Sequence, residues 1–226
     1  MELITIQEKH SIDFINLRKS IENENIIQIK NFISKDKKEV NKKLIEYFQK
    51  KQYVNYRMKF NQKKLNPENI FARNSTNHNF KILNFGKAKS IQDALPMFYD
   101  DLTENLFNEM FSFFEKINGQ KLNRENYRSH LIQYTNDNFF ELHKHSREKQ
   151  MCGLILVLGE KSKDYVEGGT VFYSTSKPIQ SISTKDVEEF GDLFIFRYDL
   201  PHEVLKVSAP KNSLGRVTAI MPHRSN

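Results

Sequence analysis

The sequence predicts an α+β fold, with helices in the first half of the chain and a roll of short strands in the second. Three observations carry this. A lysine-rich segment near residue 40 has apolar residues at helical spacing, a longer segment before residue 118 has a broad apolar face, and seven short β-rich pieces follow residue 126. Runs of helix followed by runs of strand mark α+β organisation rather than an alternating α/β sheet.

Taken in order, "NIIQIKNFIS" (25–34) is a β-rich run ending in Ser34, a residue type that caps helices. Over 35–51, Val40, Leu44 and Tyr47/Phe48 recur on one helical face. Residues 53–90 are polar and read as loops with short strands. From about Pro96 to Ile117 the apolar positions Phe98/Tyr99, Leu102, Leu106, Met110, Phe113/Phe114 and Ile117 predict a helix with a wide buried face, stopped by Gly119. The strand pieces are "YRSHLIQY", "FFELHKH", "CGLILVLG", "GTVFYST", "GDLFIFRY", "HEVLKVSA" and "RVTAIMP". Asn136-Asp137, Gly168-Gly169 and Pro210-Lys211-Asn212 separate several of them as turns. With no repeat and no Pro/Gly/Ser-rich linker, residues 1–226 are expected to form one domain, 1–125 mainly helical support and 126–226 the β core.

Composition narrows the function classes. At 38% hydrophobic and 28% charged residues the chain has the make-up of a soluble globular protein. No apolar run approaches the roughly 18–20 residues that span a bilayer, so no membrane partner is expected. The opening "MELITIQEKHSIDF" lacks the apolar stretch of a secretory signal. Cys152 is the only cysteine, which excludes an intramolecular disulfide and points to a reducing, cytoplasmic setting. The net charge of +7 comes largely from lysines spread through "SKDKKEVNKKLIEYFQKKQ" and "FNQKKLNPENIF", a solvated helix face rather than a nucleic-acid footprint.

The chemistry lies in the second half. Side chains two apart on a strand share a face, so His143 and His145 are expected to point into one cavity. His202 follows a strand, a polar bend and Pro201. Neutral imidazoles ligate iron, copper, nickel and zinc, and a close pair plus a third makes a divalent metal site.

These residues sit within motifs that resemble a known family. "FFELHKH", "EGGTVFY", "GDLFIF", "PHEVLKV" and "GRVTAIM" follow one another as in the Fe(II)- and 2-oxoglutarate-dependent oxygenases, most closely the prolyl-4-hydroxylase-like branch, from about residue 127 onward. "NFIS", before the first long helix, resembles the entry segment of that branch. The resemblance implies a double-stranded β-helix (jelly-roll) core with N-terminal supporting helices, Fe(II), 2-oxoglutarate as cosubstrate, dioxygen, and oxidation of a small-molecule or amino-acid-type substrate. It implies no catalytic residue beyond the metal site. Carried over residue by residue, His143 matches the first histidine of the family's His-x-Asp pair, His145 the aspartate, and His202 the distal histidine. Arg216 would grip the C5 carboxylate of 2-oxoglutarate, with Thr218 adding a hydroxyl, and Tyr134 resembles the strand tyrosine that often helps bind the cosubstrate. A guanidinium suits that task because its fork makes two parallel charge-assisted hydrogen bonds to a carboxylate.

The departure is His145. A histidine in place of the aspartate keeps three ligands but removes one negative charge, and three histidines favour zinc, copper or nickel more than a carboxylate-bearing site does. Ligation by His145 is the favoured reading. The alternatives are a swung-out His145 with an open position, as in the related halogenases, or an oxygen ligand from Asp137 or Glu148. Cupins, three-histidine metalloproteins on the same kind of barrel, are the second candidate class. Against them, Glu148 comes one residue early, the expected glycine upstream of the pair is Asp137, and "RYDLPH" lacks the Pro-x-Gly before the late histidine. An alkylation-repair relative would carry a second arginine at position 222, where this chain has Pro222 and reaches Arg224 two residues later. A non-enzymatic binding module on the same fold is the remaining class. Arg57, Arg73 and Arg147 are candidate contacts to an anionic substrate, whose identity would be set by loops at 53–90 and 159–190.

Overall fold

The computed structural model describes residues 1–33, 36–49, 54–58, 78–85, 97–98, 101–145 and 150–224. The chain opens with β1 (Leu3–Ile6), α1 (Phe14–Glu22) and β2 (Ile26–Ile29), and β1 and β2 pair in parallel across the helix. Asp13 starts α1 by accepting hydrogen bonds from the Ile15 and Asn16 amides, two of the donors a helix start leaves unpaired. α2 (Lys37–Gln49) begins on Asp36, whose carboxylate accepts from the Lys38 and Glu39 amides. The cap is therefore Asp36, two residues beyond the expected serine; Ser34 lies outside the described residues.

β3 (Val54–Met58), β4 (His78–Phe85) and β5 (Met97–Phe98) precede α3 (Asp101–Asn118). The long apolar-faced helix is thus present from Asp101, while Phe98, expected on its first turn, is strand. α3 ends as expected. Gly119 takes φ +71°, open to a residue without Cβ, and its amide returns to the carbonyls of Glu115 and Lys116.

The second half supplies β6 (Tyr127–Tyr134), β7 (Phe139–His143), β8 (Cys152–Val157), β9 (Thr170–Tyr173), β10 (Ser181–Ser183), β11 (Leu193–Arg197), β12 (His202–Val204) and β13 (Arg216–Arg224). They sort into two antiparallel layers, β11-β8-β13-β6 and β7-β12-β9-β10. Apart from the β9–β10 hairpin, successive strands alternate between the layers, which is the winding of a double-stranded β-helix. Residues 1–125, expected to be mainly helical, also contribute to the sheet. β2 extends the first layer beyond β11, and β4 pairs with both β6 and β7, joining the layers along one side.

Period-two alternation places the core. On β8, β11 and β13, Leu154, Leu156, Leu193, Ile195, Val217, Ala219 and Met221 face outward, into one cluster with Leu17 and Ile21 of α1, Val40 and Leu44 of α2, and Phe107, Met110 and Phe114 of α3. The intervening residues Ile155, Val157, Phe194 and Phe196 face inward, where Phe172 joins them. Arg216 and Thr218 are in phase with inward-facing Ile220, so both side chains enter the roll. Each large apolar side chain buried this way stabilises the fold by about 1.5–3 kcal/mol, which makes the helices a second wall for the first layer.

Candidate metal centre

β12 carries the centre of the site because it lies between β7 and β9. His202 is the cross-strand partner of His143 on one side and of Phe172 on the other. Directly opposed residues bring their side chains together, and the β7–β12 ladder carries a bulge just below, where His202/His143 gives way to Val204/Phe140. β7 ends at His143. His145 therefore reaches the site from the chain just past the strand, not from the strand face that the spacing suggested. The outcome is nonetheless one cluster: His143, His145 and His202 place a ligand nitrogen each within 4.8 Å of one another. Among the described residues this is the group whose chemistry suits a metal ion.

Backbone contacts prepare two of the rings. Nδ1 of His143 lies 2.9 Å from the Glu141 carbonyl, and Nδ1 of His202 lies 2.8 Å from the Leu200 carbonyl. A carbonyl only accepts, so each Nδ1 carries the proton and the lone pair resides on Nε2, the tautomer in which Nε2 can ligate a metal. Burial lowers the His202 pKa to about 4 against the opposing pull of the Leu200 carbonyl, so this ring is neutral at pH 7. Aromatic side chains fix the ring planes. Phe140 stacks on His143 at 3.9 Å, Tyr198 stacks on His145 at 4.5 Å, and Phe196 sets its edge on His202 at 5.0 Å. Gly153 makes room for Phe196, since a Cβ there would fall 2.5 Å from the ring.

Asp137 stands apart from the cluster. It sits in a turn at φ +65° and pairs with Lys206 at 2.7 Å on the exposed surface. Glu148, Arg73 and Arg147 lie outside the described residues, as does the side chain of Arg57.

The second constellation is built on Arg216, whose Cα partner on β6 is Tyr134. The guanidinium carbon lies 5.8 Å from the centroid of the Tyr134 ring, and Tyr134 is fully buried. Thr218 follows two residues on, buried on the same inward face. Arg216 itself is already bound to a carboxylate of the chain. Its Nε donates to Glu188 Oε1 at 2.8 Å, and its Nη2 donates to Glu188 Oε2 at 3.0 Å and to Thr170 Oγ1 at 3.1 Å. Tyr165 donates to Glu188 Oε1 at 2.8 Å and Thr184 to Oε2 at 2.6 Å. The side chains of the pair are 1% and 0% exposed. Burial alone would raise the Glu188 pKa, but the Arg216 charge and the hydrogen bonds from Arg216, Thr184 and Tyr165 outweigh it and hold the carboxyl below its ordinary range. Sequence reading missed Glu188, Tyr165, Thr170 and Thr184. In "STKDVEEFGD" nothing separates Glu188 from its acidic neighbours; the "EGGTVFY" motif and the 159–190 loop marked the region without singling out these residues.

β9 links the two constellations. Thr170 touches Arg216, and Phe172, two residues and about 7 Å further along the strand, opposes His202.

No protein-family profile and no curated protein sequence matches the chain. Solved structures do. A prolyl-4-hydroxylase from Pseudomonas putida superposes with a TM-score of 0.60 at 15% identity, covering 94% of this chain and 99% of that one. A 2OG-Fe(II) oxygenase family oxidoreductase from Burkholderia pseudomallei gives 0.60 at 13%, covering 98% and 96%. A Trichoplax adhaerens prolyl hydroxylase, solved with a fragment of the oxygen degradation domain of hypoxia inducible factor, gives 0.61 at 13%, covering 93% and 89%. The chain shares their fold, a double-stranded β-helix with flanking helices.

Proposed function

We propose that this chain is an iron(II)- and 2-oxoglutarate-dependent oxygenase whose metal is held by His143, His145 and His202. The observation that carries the reading is the three-imidazole cluster formed by His143 of β7, His202 of β12 and His145 just past β7, with two of its rings held with the proton on Nδ1. The similarity of the fold to 2OG-Fe(II) oxygenases supports the choice of metal and cosubstrate.

In this reading His143 and His202 present Nε2 from opposed strands, and His145 completes a neutral ligand set from the chain beyond β7. Phe140, Phe172 and Phe196 line the histidines with apolar surface and keep water from the reacting centre. At the far end Arg216, Thr218 and Tyr134 receive the cosubstrate's second carboxylate. Bound iron and 2-oxoglutarate would supply the oxidising chemistry, coupling dioxygen reduction to decarboxylation to succinate and to oxidation of the substrate. The substrate is a small molecule or amino-acid-type compound, the chain a single domain, and its setting the cytoplasm. Among the described residues no helix is long and apolar enough to cross a membrane.

One observation favours a second reading, a cupin-like three-histidine metalloprotein that does not use 2-oxoglutarate: Arg216 is already paired with Glu188. Metal analysis of the purified protein, followed by anaerobic titration of the Fe(II)-loaded form with 2-oxoglutarate, separates them. The proposal expects one iron per chain and saturable 2-oxoglutarate binding. Iron binding without 2-oxoglutarate binding would favour the second reading.

A further inference from the structure

The pair formed by Arg216 and Glu188 bears on which 2-oxo acid the site accepts. We infer that Glu188 is a specificity-determining residue of the cosubstrate pocket: by holding Arg216 it weakens the selection for a second carboxylate, so the site takes 2-oxo acids with little preference for a dicarboxylate. The inference rests on the oxygenase reading proposed above and concerns the far end of the cosubstrate only.

The argument is one of competition for a single cation. Glu188 makes a bidentate contact to Nε and Nη2 of Arg216, and two further donors, the hydroxyls of Tyr165 and Thr184, hold the carboxylate in place. An incoming carboxylate has two ways to reach the guanidinium. It can displace Glu188, which then remains buried as a charge with only two hydroxyl partners, a costly state. Otherwise it can share the guanidinium, placing two carboxylates on one positive charge in a site where charges interact strongly. Either way the incoming carboxylate gains less than it would from an unengaged arginine. The metal end of a 2-oxo acid would be unaffected, because the partners of the Glu188 carboxylate are Arg216, Tyr165 and Thr184 rather than the three histidines. The chain thus supplies, from the Glu188 side chain, the chemical group that a dicarboxylate would bring.

The test compares two acids of equal chain length. Metal-loaded protein is titrated anaerobically with 2-oxoglutarate and with 2-oxopentanoate, which lacks the second carboxylate, and the ratio of their Kd values is read for wild type and Glu188→Gln. Glutamine keeps the shape and one acceptor for Arg216 while removing the charge. The wild type should favour 2-oxoglutarate by less than about tenfold, and Glu188→Gln should raise that preference by about tenfold or more. Glu188→Met, of similar length and without charge or acceptor, should raise it likewise and serves where Glu188→Gln does not fold. A wild-type preference of about tenfold or more, or a preference that none of the folded variants increases, would overturn the inference while leaving the oxygenase reading standing. Metal binding with no binding of either acid by any of the proteins would remove the oxygenase reading itself, and the inference with it.

Discussion

The two ends of the roll solve the same electrostatic problem in opposite ways. At the histidine end His143, His145 and His202 converge with no carboxylate in the cluster among the described residues, and His143 and His145 remain partly exposed. At the arginine end the charges are sealed from solvent, and Arg216 is neutralised in place by Glu188. In the oxygenase family that the motifs resemble, an aspartate stands on the metal. Here that position is His145, and a buried carboxylate stands on the arginine instead. Relative to that pattern, His145 removes one negative charge at the histidines and Glu188 supplies one at Arg216. What differs is where the negative charge sits, and this teaches that a ligand substitution such as His145 has to be weighed against the whole cavity and not the metal alone.

The comparison breaks most sharply at the metal. His143→Ala and His202→Ala each remove a proposed ligand from opposed strands, and each should lower metal affinity by about 100-fold or more, beyond what loss of a supporting residue costs. Metal content after equilibrium dialysis measures this, with circular dichroism as a check on folding. The arginine end should respond in stability. Arg216→Met leaves Glu188 buried without its cation and should destabilise the fold by about 3–5 kcal/mol, whereas Arg216→Met/Glu188→Met should recover most of that loss. Chemical denaturation of both variants tests it; a double variant no better than the single would mean the pair is not the energetic unit described here.

How much of this was legible beforehand varied with the kind of signal. The strands after residue 126 were readable because alternation of core-facing residues is local, as in Leu193 to Phe196. β10, with the sequence Ser-Ile-Ser, is too short and polar to show a period. Short strands were expected within 53–90, but β4 could not be placed there, because His78, Asn79, Lys81 and Asn84 dilute the apolar signal of a strand that joins the two layers. The histidines declared themselves through spacing and motif order, although His145 reaches the site from beyond the strand end. Glu188 could not be found, because its meaning comes from Arg216, 28 residues away, and no local pattern records that contact.

A smaller effect sharpens the comparison at the position where the ends differ. His145→Asp should retain the metal, since aspartate ligates from the same place, but it adds a negative charge without removing Glu188. If the native arrangement is adapted to its chemistry, succinate formation should fall by about tenfold. Faster turnover in the variant would instead mark the native site as a weakened one. Smaller still, Tyr198→Leu removes the stack that fixes the His145 ring and should weaken metal binding by no more than about tenfold, in keeping with a contact worth about 0.5–1.5 kcal/mol. Competition with a chromophoric chelator would measure it.

The central claim is that His145 joins His143 and His202 around one ion. X-ray absorption at the metal edge of the Fe(II)-loaded protein tests it most directly, because imidazole ligands leave a countable multiple-scattering signature. The account predicts three imidazoles in the wild type and two in His145→Ala. The same count in both proteins would contradict it.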